Sequence, residues 1–180
     1  VAKGWPVVVN HFVTEKGVCN CRDGAACTTA GKHPAMLHGV KDATTDLGKL
    51  ADYFRRKSYN VGIATGATSF DALDFDGEEG KKLFYDWIER GWITEGCLIA
   101  RTPSGGFHVA IEHIPGLKNG VKPIPGLDIR TTGGQIIVEG SQTPKGIYRW
   151  QCPDAAPMKA SPELRAYLLE IAGHKPSQVD

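Results

Sequence analysis

The sequence predicts a single α+β domain over residues 1–180, with the middle of the chain forming a β-sheet backed by helices. Many short apolar and β-branched runs are separated by glycine-rich turns, which is typical of strands. A few segments with apolar residues at helical spacing lie among them, and this combination indicates an α+β architecture. With 180 residues, 41% hydrophobic and 23% charged, the chain can bury one core and is too short for two ordinary domains.

The first elements are a strand, a loop and a helix. Trp5–Val9 is apolar and β-branched, so we predict a strand there. Residues 17–34 are polar and contain glycine and cysteine, which favours a loop organised by something other than a core. Asp46 is a suitable N-cap for a helix over residues 47–54, where apolar residues recur near helical spacing.

Two strands and the clearest helix come next. Val61–Ala64 and Phe70–Phe75 are predicted strands joined by the turn-rich residues 65–68. Glu78–Arg90 carries an apolar stripe and acidic residues in its first turn, and Gly91 follows as a stop signal. These features predict a helix.

The rest of the chain is predicted to be mostly strand. Leu98–Thr102 and Phe107–Glu112 flank residues 103–106, which resemble a hairpin connection in which glycine supplies unusual backbone angles. Three further strands are separated by glycine-rich turns: Leu127–Arg130, Gln135–Val138 and Ile147–Trp150. A last helix is predicted over Pro162–Ala172.

Overall charge gives little indication of a partner. The net charge is +1, without the basic excess that sequence-independent nucleic-acid binders usually show. The basic clusters at residues 55–57 and 81–82 are expected on solvated helix faces. No apolar run approaches the roughly 20 residues needed to span a bilayer, and no basic-then-apolar leader opens the sequence, so we expect a cytoplasmic protein.

Cysteine spacing indicates a metal site rather than disulfides. Cys19, Cys21 and Cys27 lie close together in a chain with an odd number of cysteines, which favours reduced thiols or metal ligands. Together with His33 they supply three thiolates and one imidazole, a set suited to tetrahedral Zn²⁺. His38 is an alternative fourth ligand, and a flexible reduced loop is the alternative to a metal site.

Carboxylates cluster at the end of one predicted strand. Asp74 and Asp76 flank Phe75, so the two-residue period of a strand points both carboxylates to the same face. Such close like charges are costly unless a cation lies between them, and Mg²⁺ and Mn²⁺ prefer oxygen ligands. Asp128 also interrupts an apolar strand and is the best candidate third ligand. The alternative is that Asp76 merely caps the following helix.

A glycine turn after these carboxylates suits phosphate binding. In Ser104-Gly105-Gly106-Phe107-His108 the bare backbone N–H groups can approach phosphate oxygens, and the Ser104 hydroxyl adds a donor. The imidazole of His108 could donate to a β- or γ-phosphate. An ordinary hairpin turn followed by a half-buried strand histidine is the alternative interpretation.

The ordered series of motifs resembles the bifunctional primase-polymerase family of the archaeo-eukaryotic primase superfamily. The resemblance covers nearly the whole chain. The residues that carry it are 4–8, Gly31-Lys32-His33-Pro34, 39–46, 60–66, Leu73-Asp74-Phe75-Asp76, 102–108, Gly126-Leu127-Asp128-Ile129-Arg130, 133–134 and 146–150. One departure lies at residues 138–141, where the family more often has prolines before the serine.

This resemblance implies a fold and roles for individual residues. The fold would be an antiparallel catalytic sheet like that of an RNA-recognition motif, backed by helices, with a small additional α/β unit and a zinc-binding insertion at residues 17–34. Asp74, Asp76 and Asp128 would be the catalytic ligands of Mg²⁺ or Mn²⁺. The nucleotide-binding residues would be Ser104, Gly105, Gly106, His108, Arg130 and Lys32, and the structural zinc ligands would be Cys19, Cys21, Cys27 and His33.

The expected activity is template-directed nucleotidyl transfer in DNA replication. Its partners would be a DNA template and primer, with NTPs or dNTPs as substrates and no membrane. The sequence has no Gly-x-x-x-x-Gly-Lys-Ser/Thr loop, so a helicase partner would lie on another domain or chain. Two alternatives remain at this point: a non-catalytic zinc-containing replication-initiation module that binds nucleic acid, and a metal-dependent nuclease.

Overall fold

A computed structural model describes residues 2–173, which form eleven strands and three α-helices. The strands are β1 Val7–Asn10, β2 Asn60–Ala64, β3 Asp71–Phe75, β4 Ile99–Arg101, β5 Phe107–Ile111, β6 Gly120–Ile124, β7 Leu127–Arg130, β8 Gln135–Ile137, β9 Gln142–Thr143, β10 Gly146–Ile147 and β11 Arg149–Trp150. The helices are α1 Leu47–Phe54, α2 Gly77–Glu89 and α3 Pro162–Ile171. Short 3₁₀ helices lie at Gly24–Ala26 and Gly39–Asp42. The predicted mixture of helices and strands is confirmed.

The larger sheet has six strands in the order β11-β4-β5-β3-β7-β6, and each neighbouring pair is antiparallel. Its central strand β3 bonds to β5 on one side and to β7 on the other. One face of this sheet packs against α2 and α3. Leu73 and Phe75 of β3 lie in that core with Phe84, Trp87 and Leu168 of the helices. Apolar residues at alternate strand positions therefore build the helix-backed face.

A second sheet covers part of the opposite face. It has the antiparallel order β1-β2-β8, and Ile63 and Ile136 from it pack against Ala72 and Ala110 of the larger sheet. Its outer face is covered by α1, whose Leu50 is buried. Small residues on the larger sheet allow the two sheets to approach closely. The layers are thus helices, six-stranded sheet, three-stranded sheet and α1.

The serine in the segment that departs from the family pattern has a structural contact in this small sheet. The hydroxyl of Ser141 accepts a hydrogen bond from the Val61 N–H (2.9 Å) and donates one to the Val61 carbonyl (3.0 Å). Ser141 is buried, so both polar groups of the Val61 backbone are satisfied away from water. This residue therefore continues the pairing of β2 where β8 ends.

The structure differs from the sequence predictions at three places in the second half of the chain. Ile147–Trp150 was predicted as one strand, but Tyr148 separates β10 from β11, which belong to different sheets. The Tyr148 N–H bonds instead to the Ser141 carbonyl, so the chain changes partner at this residue. Neither β6 nor the two-residue β9 was predicted, and Gly120 and Pro123 within β6 are poor strand residues. The other predicted elements are present, with ends shifted by one or two residues.

We expect Phe84→Ala to destabilise the fold strongly. The Phe84 ring stacks on Phe107 with centroids 3.9 Å apart and meets Phe75 edge-on at 5.6 Å. Removing this buried ring should cost roughly 3–5 kcal/mol, which chemical denaturation would measure. Tyr85→Ala on the exposed side of α2 is the control and should cost less than about 1 kcal/mol. Equal losses in the two variants would contradict the assignment of the core.

Candidate active site and cysteine loop

A row of polar residues crosses the middle of the larger sheet. On β3, Asp74 pairs directly with His108 of β5 and with Asp128 of β7. Directly opposed residues in an antiparallel sheet point to the same face, so these three side chains form one row. The neighbours of Asp74 along β3, Leu73 and Phe75, point into the helix-backed core. Strand alternation therefore holds the row on the face opposite the helices.

Asp74 is a largely buried carboxylate surrounded by basic groups. Its side chain is 18% exposed, and its Oδ1 lies 3.3 Å from His108 Nε2 without the alignment of a hydrogen bond. Burial acts to raise the pKa of Asp74, but His108, Arg130 and Lys32 outweigh it, so the pKa lies below the usual range. Oδ1 has no hydrogen-bond partner among residues 2–173. An ionised oxygen in this position is available to a cation.

Asp76 follows the end of β3 and occupies the N-cap position of α2. Its side chain makes no capping hydrogen bond, unlike that of Asp46, which accepts from the backbone N–H groups of Gly48 and Lys49. The alternative that Asp76 merely caps the helix is therefore wrong. The pKa of Asp76 is raised, first by burial and then by the negative charge of Asp74. The negative charge of Asp74 thus opposes the ionisation of Asp76.

Asp128 differs from the other two carboxylates because both of its oxygens already have partners. Arg130 Nη2 donates to Oδ2 at 2.6 Å, and the backbone N–H of Lys122 donates to Oδ1 at 2.8 Å. The side chain is 20% exposed. A metal ion at Asp128 would therefore have to replace or share these contacts.

A cavity of about 410 Å³ lies over the row, between the two sheets. We call it the carboxylate cleft. Its charged and polar lining comprises Lys32, Asp74, Asp76, His108, Asp128, Arg130, Gln135 and Tyr148. The cleft brings together every predicted metal carboxylate, and His108, Arg130 and Lys32 besides.

The predicted phosphate loop lies at the edge of this cleft. Gly105 has a positive φ of 82°, and the hairpin is tight. The Gly105 N–H donates to the Thr102 carbonyl (2.9 Å) and the Gly106 N–H to Thr102 Oγ1 (3.0 Å), so the prediction of bare N–H groups at these glycines was wrong. A Cβ on Gly106 would collide with the Phe75 carbonyl and lie 3.3 Å from Asp76 Oδ1. Only glycine permits this approach of the loop to the carboxylates. Ser104 is exposed and lines an adjoining cavity that also contains Asp76 and Lys32.

Comparison with known proteins assigns the chain to a family. A family model described as Prim-Pol, the N-terminal domain of bifunctional DNA primase/polymerases, matches residues 1–164. The chain belongs to this family. Membership makes the Prim-Pol chain a primase/polymerase-type protein, that is, a nucleotidyltransferase-type enzyme that binds DNA and nucleotides. No curated protein matches the chain. Within residues 2–173, none of the helices is long and apolar enough to cross a bilayer.

Tyr148 is a residue of the Prim-Pol site for which the sequence predicted no role. It is buried in the carboxylate cleft, and its ring centroid lies 5.5 Å from that of His108 and 6.0 Å from Lys32 Nζ. Burial, then the charges of Asp74 and Asp76, raise the pKa of its phenol. Tyr148 lies within a predicted strand, so periodicity alone could not distinguish it from a core residue.

The cysteine loop of the Prim-Pol chain brings its predicted ligands together. One ligand atom from each of Cys19, Cys21, Cys27 and His33 lies within 4.8 Å of the others. His33 Nε2 is 3.5 Å from Cys19 Sγ and 3.4 Å from Cys27 Sγ. His38, the alternative ligand, lies elsewhere and bonds to Asp42. Among the described residues this is the one group of three or more potential metal ligands whose ligand atoms lie so close together. The carboxylate oxygens of Asp74, Asp76 and Asp128 are farther apart than this.

Electrostatics at the loop suit a soft metal ion. Burial and the neighbouring His11 ring hold the pKa of His33 below its usual value, so the imidazole is neutral and can donate a lone pair. Burial raises the pKa of Cys19. Slight burial acts in the same direction on Cys21, but contacts with Cys19 and the Asp23 backbone outweigh it and lower the pKa of Cys21. Three thiols and a neutral imidazole could hold zinc.

We expect about one zinc ion per chain in the purified protein, lost in Cys21→Ala and retained in Cys152→Ala. Cys152 is the matched control because it is a free cysteine outside the group. Elemental analysis measures the metal content directly. Chelation should also lower the melting temperature of the wild type but not that of Cys21→Ala. A zinc-free wild type would show that the loop is held without metal.

We expect Asp76→Asn to raise the melting temperature at pH 7 in the absence of divalent ions. The pKa of Asp76 is raised in the folded state, so its ionised form destabilises the fold above that pKa. The penalty disappears as the pH falls through the folded pKa towards the unfolded value, so the two proteins should converge near about pH 3. Circular dichroism melts measure both limits, with the exposed Asp154→Asn as control. A less stable Asp76→Asn at pH 7 would contradict this reasoning.

Proposed function

We propose that the chain is the catalytic domain of a DNA primase-polymerase that transfers nucleotides to a 3′-hydroxyl under the direction of a template. The observation that carries the proposal is the row of Asp74, His108 and Asp128 across the larger sheet, in a cleft that also contains Asp76 and Arg130. Membership of the Prim-Pol family supports the same activity. DNA and NTPs or dNTPs are the proposed partners.

Asp74, Asp76 and Asp128 would hold Mg²⁺ or Mn²⁺ in this site. The donor set fits because Asp74 Oδ1 has no hydrogen-bond partner within residues 2–173 and Asp76 makes no capping bond. Hard divalent ions prefer such carboxylate oxygens. Bound there, a pair of ions would lower the pKa of the attacking hydroxyl and neutralise charge on the leaving pyrophosphate.

The remaining residues would bind and orient the nucleotide. Arg130 and Lys32 line the cleft and can pair with phosphate oxygens, and the Ser104 hydroxyl offers a hydrogen-bond donor in the adjoining cavity. Gly105 and Gly106 would serve the nucleotide through the close approach of their loop to Asp76, since their N–H groups donate to Thr102. His108 keeps Nδ1 free of any partner among the described residues and is held against Asp74. We infer that Arg130 leaves Asp128 when a phosphate arrives, which frees an oxygen of Asp128.

The layers of the fold suit this role. The six-stranded sheet would be the catalytic sheet of RNA-recognition-motif type, and β1, β2, β8 and α1 would be the additional α/β unit. We propose that residues 1–180 act as one domain, of which residues 1 and 174–180 lie outside the described part. The loop at 17–34 would be a zinc-stabilised insertion. A helicase would be supplied by another domain or chain.

We expect the double variant Asp74→Ala, Asp76→Ala to lose at least about 10³-fold in primer extension, because it removes two carboxylates of the metal site. The assay uses a short primer-template with dNTPs or NTPs and Mg²⁺ or Mn²⁺. Asp154 is exposed and lies outside the carboxylate cleft and the adjoining cavity, so Asp154→Asn is the matched control and should extend primers like the wild type.

Other outcomes would favour the alternatives. DNA binding in both proteins without extension by the wild type would support a non-catalytic replication-initiation module. Shortening of the primer by the wild type, abolished in the double variant, would support a metal-dependent nuclease. Extension that survives loss of both carboxylates would overturn the assignment of these residues.

A further inference from the structure

Lys122 has a backbone conformation that lysine rarely adopts. Its φ is 48°, and among residues 2–173 it is the one non-glycine residue with a positive φ. It lies in β6, where the pairing with β7 shifts register between Gly120 and Ile124. A non-glycine residue in this left-handed region costs of order 1 kcal/mol or more. Such a residue persists where the surrounding structure or its function requires it.

The conformation places the Lys122 N–H on a candidate metal ligand. This N–H donates to Asp128 Oδ1 at 2.8 Å, opposite the bond from Arg130 to Oδ2. A glycine would make the same backbone contact without the steric cost. The backbone contact therefore does not require a lysine at this position, which leaves the side chain available for a separate role.

Lys122 is one of the residues that line the cavity adjoining the carboxylate cleft. This cavity has a volume of about 740 Å³, and we call it the lysine cleft. Its charged and hydroxyl side chains are Lys32, Asp76, Glu79, Ser104, Lys122 and Lys145. None of these three lysines forms an ion pair with another described residue. The lysine of the described residues that does so is Lys81, which pairs with Glu78.

The first turn of α2 adds to the attraction for an anion. Gly77 lines the lysine cleft, and the Asp76 side chain leaves the backbone N–H groups of that turn uncapped. Free N–H groups and the positive end of the helix dipole attract phosphate groups. Three lysines, a serine and a helix N-terminus thus line one open volume, together with the acidic residues Asp76 and Glu79.

We propose that the lysine cleft binds the outer phosphates of the incoming nucleoside triphosphate, and that Lys122 links them to Asp128. The inference rests on the proposed nucleotidyl transfer. Both clefts share Asp76 and Lys32, so an α-phosphate beside the carboxylates leaves the β- and γ-phosphates within reach of the adjoining volume. The Lys122 side chain would contact these phosphates while its N–H holds Asp128. This shared position favours the triphosphate over the DNA backbone as the occupant.

The test compares binding of a dNTP with that of the monophosphate of the same nucleoside. Isothermal titration calorimetry in Ca²⁺, without primer or template, measures both affinities without turnover. Lys122→Ala should weaken triphosphate binding about tenfold, the loss expected for one charge-assisted contact, and leave monophosphate binding unchanged. Lys122→Arg should retain most of the affinity. Lys82→Ala, on the exposed surface of α2, is the matched control.

Lys122→Gly separates the side chain from the backbone. Glycine tolerates the positive φ and keeps the N–H to Asp128, so this variant should be at least as stable as the wild type. It should nevertheless lose triphosphate affinity as Lys122→Ala does. Wild-type affinity in Lys122→Gly would overturn the proposal, because the backbone alone would then suffice. Equal losses for triphosphate and monophosphate in Lys122→Ala would also overturn it.

Two further outcomes distinguish this inference from the proposed function. Unchanged triphosphate affinity in Lys122→Ala with weakened binding of primer-template DNA would assign the cleft to DNA and overturn the inference, while primer extension could still be intact. If the wild type extends primers and Lys122→Ala binds triphosphate normally, the proposed nucleotidyl transfer still holds. Lys122 would then have no part in triphosphate binding, and the inference would be overturned. Selective loss of triphosphate affinity supports the inference even before any extension is measured.

Discussion

The ionised state of Asp74 in the middle of a sheet is the constraint on which the site depends. A buried carboxylate without compensation is costly, and burial by itself would favour its protonated form. Basic groups from three separate segments, His108, Arg130 and Lys32, reverse that preference. The fold must therefore bring the cysteine loop, β5 and β7 around one residue of β3. Their convergence turns a central strand position into a place for a cation.

The two faces of the larger sheet have different tasks. The helix-backed face is a close-packed aromatic and aliphatic core, in which Phe75, Phe84 and Trp87 fix the position of β3. The opposite face carries small residues where the second sheet packs and the charged row where the cleft opens. A rigid apolar layer thus supports carboxylates that repel each other, and stability from one face offsets the electrostatic cost on the other.

Much of this organisation could be predicted from the sequence. The strand ending in Asp74 and Asp76 and the stripe of α2 follow directly from residue periodicity, and the cysteine spacing indicated the ligand group at His33. Cross-strand neighbours could not be derived in the same way, since register depends on pairing between distant segments. Asp128 was a candidate third ligand because it interrupts an apolar strand, and the family resemblance supported it, but its direct pairing with Asp74 is seen only in the structure.

The features that sequence reasoning missed are those in which local preference is overruled. Gly120 and Pro123 argued against a strand, yet β6 pairs irregularly with β7 and carries Lys122 in a left-handed conformation. The break between β10 and β11 at Tyr148 could not be predicted, because an apolar run does not indicate which sheet each of its residues joins. Both departures lie beside the candidate site, where local consistency is most often given up for function.

One peptide bond joins the cysteine loop to the site. His33 belongs to the candidate zinc group, while the preceding residue, Lys32, lines both clefts and contributes to the field on Asp74. The loop is also anchored to the small sheet, since Asn60 Nδ2 donates to the Gly31 carbonyl at 2.8 Å. A metal ion bound by the cysteine loop would therefore influence where the Lys32 ammonium lies relative to the substrate. Loss of the metal ion from the loop would accordingly change the KM for nucleotide as well as the thermal stability of the protein.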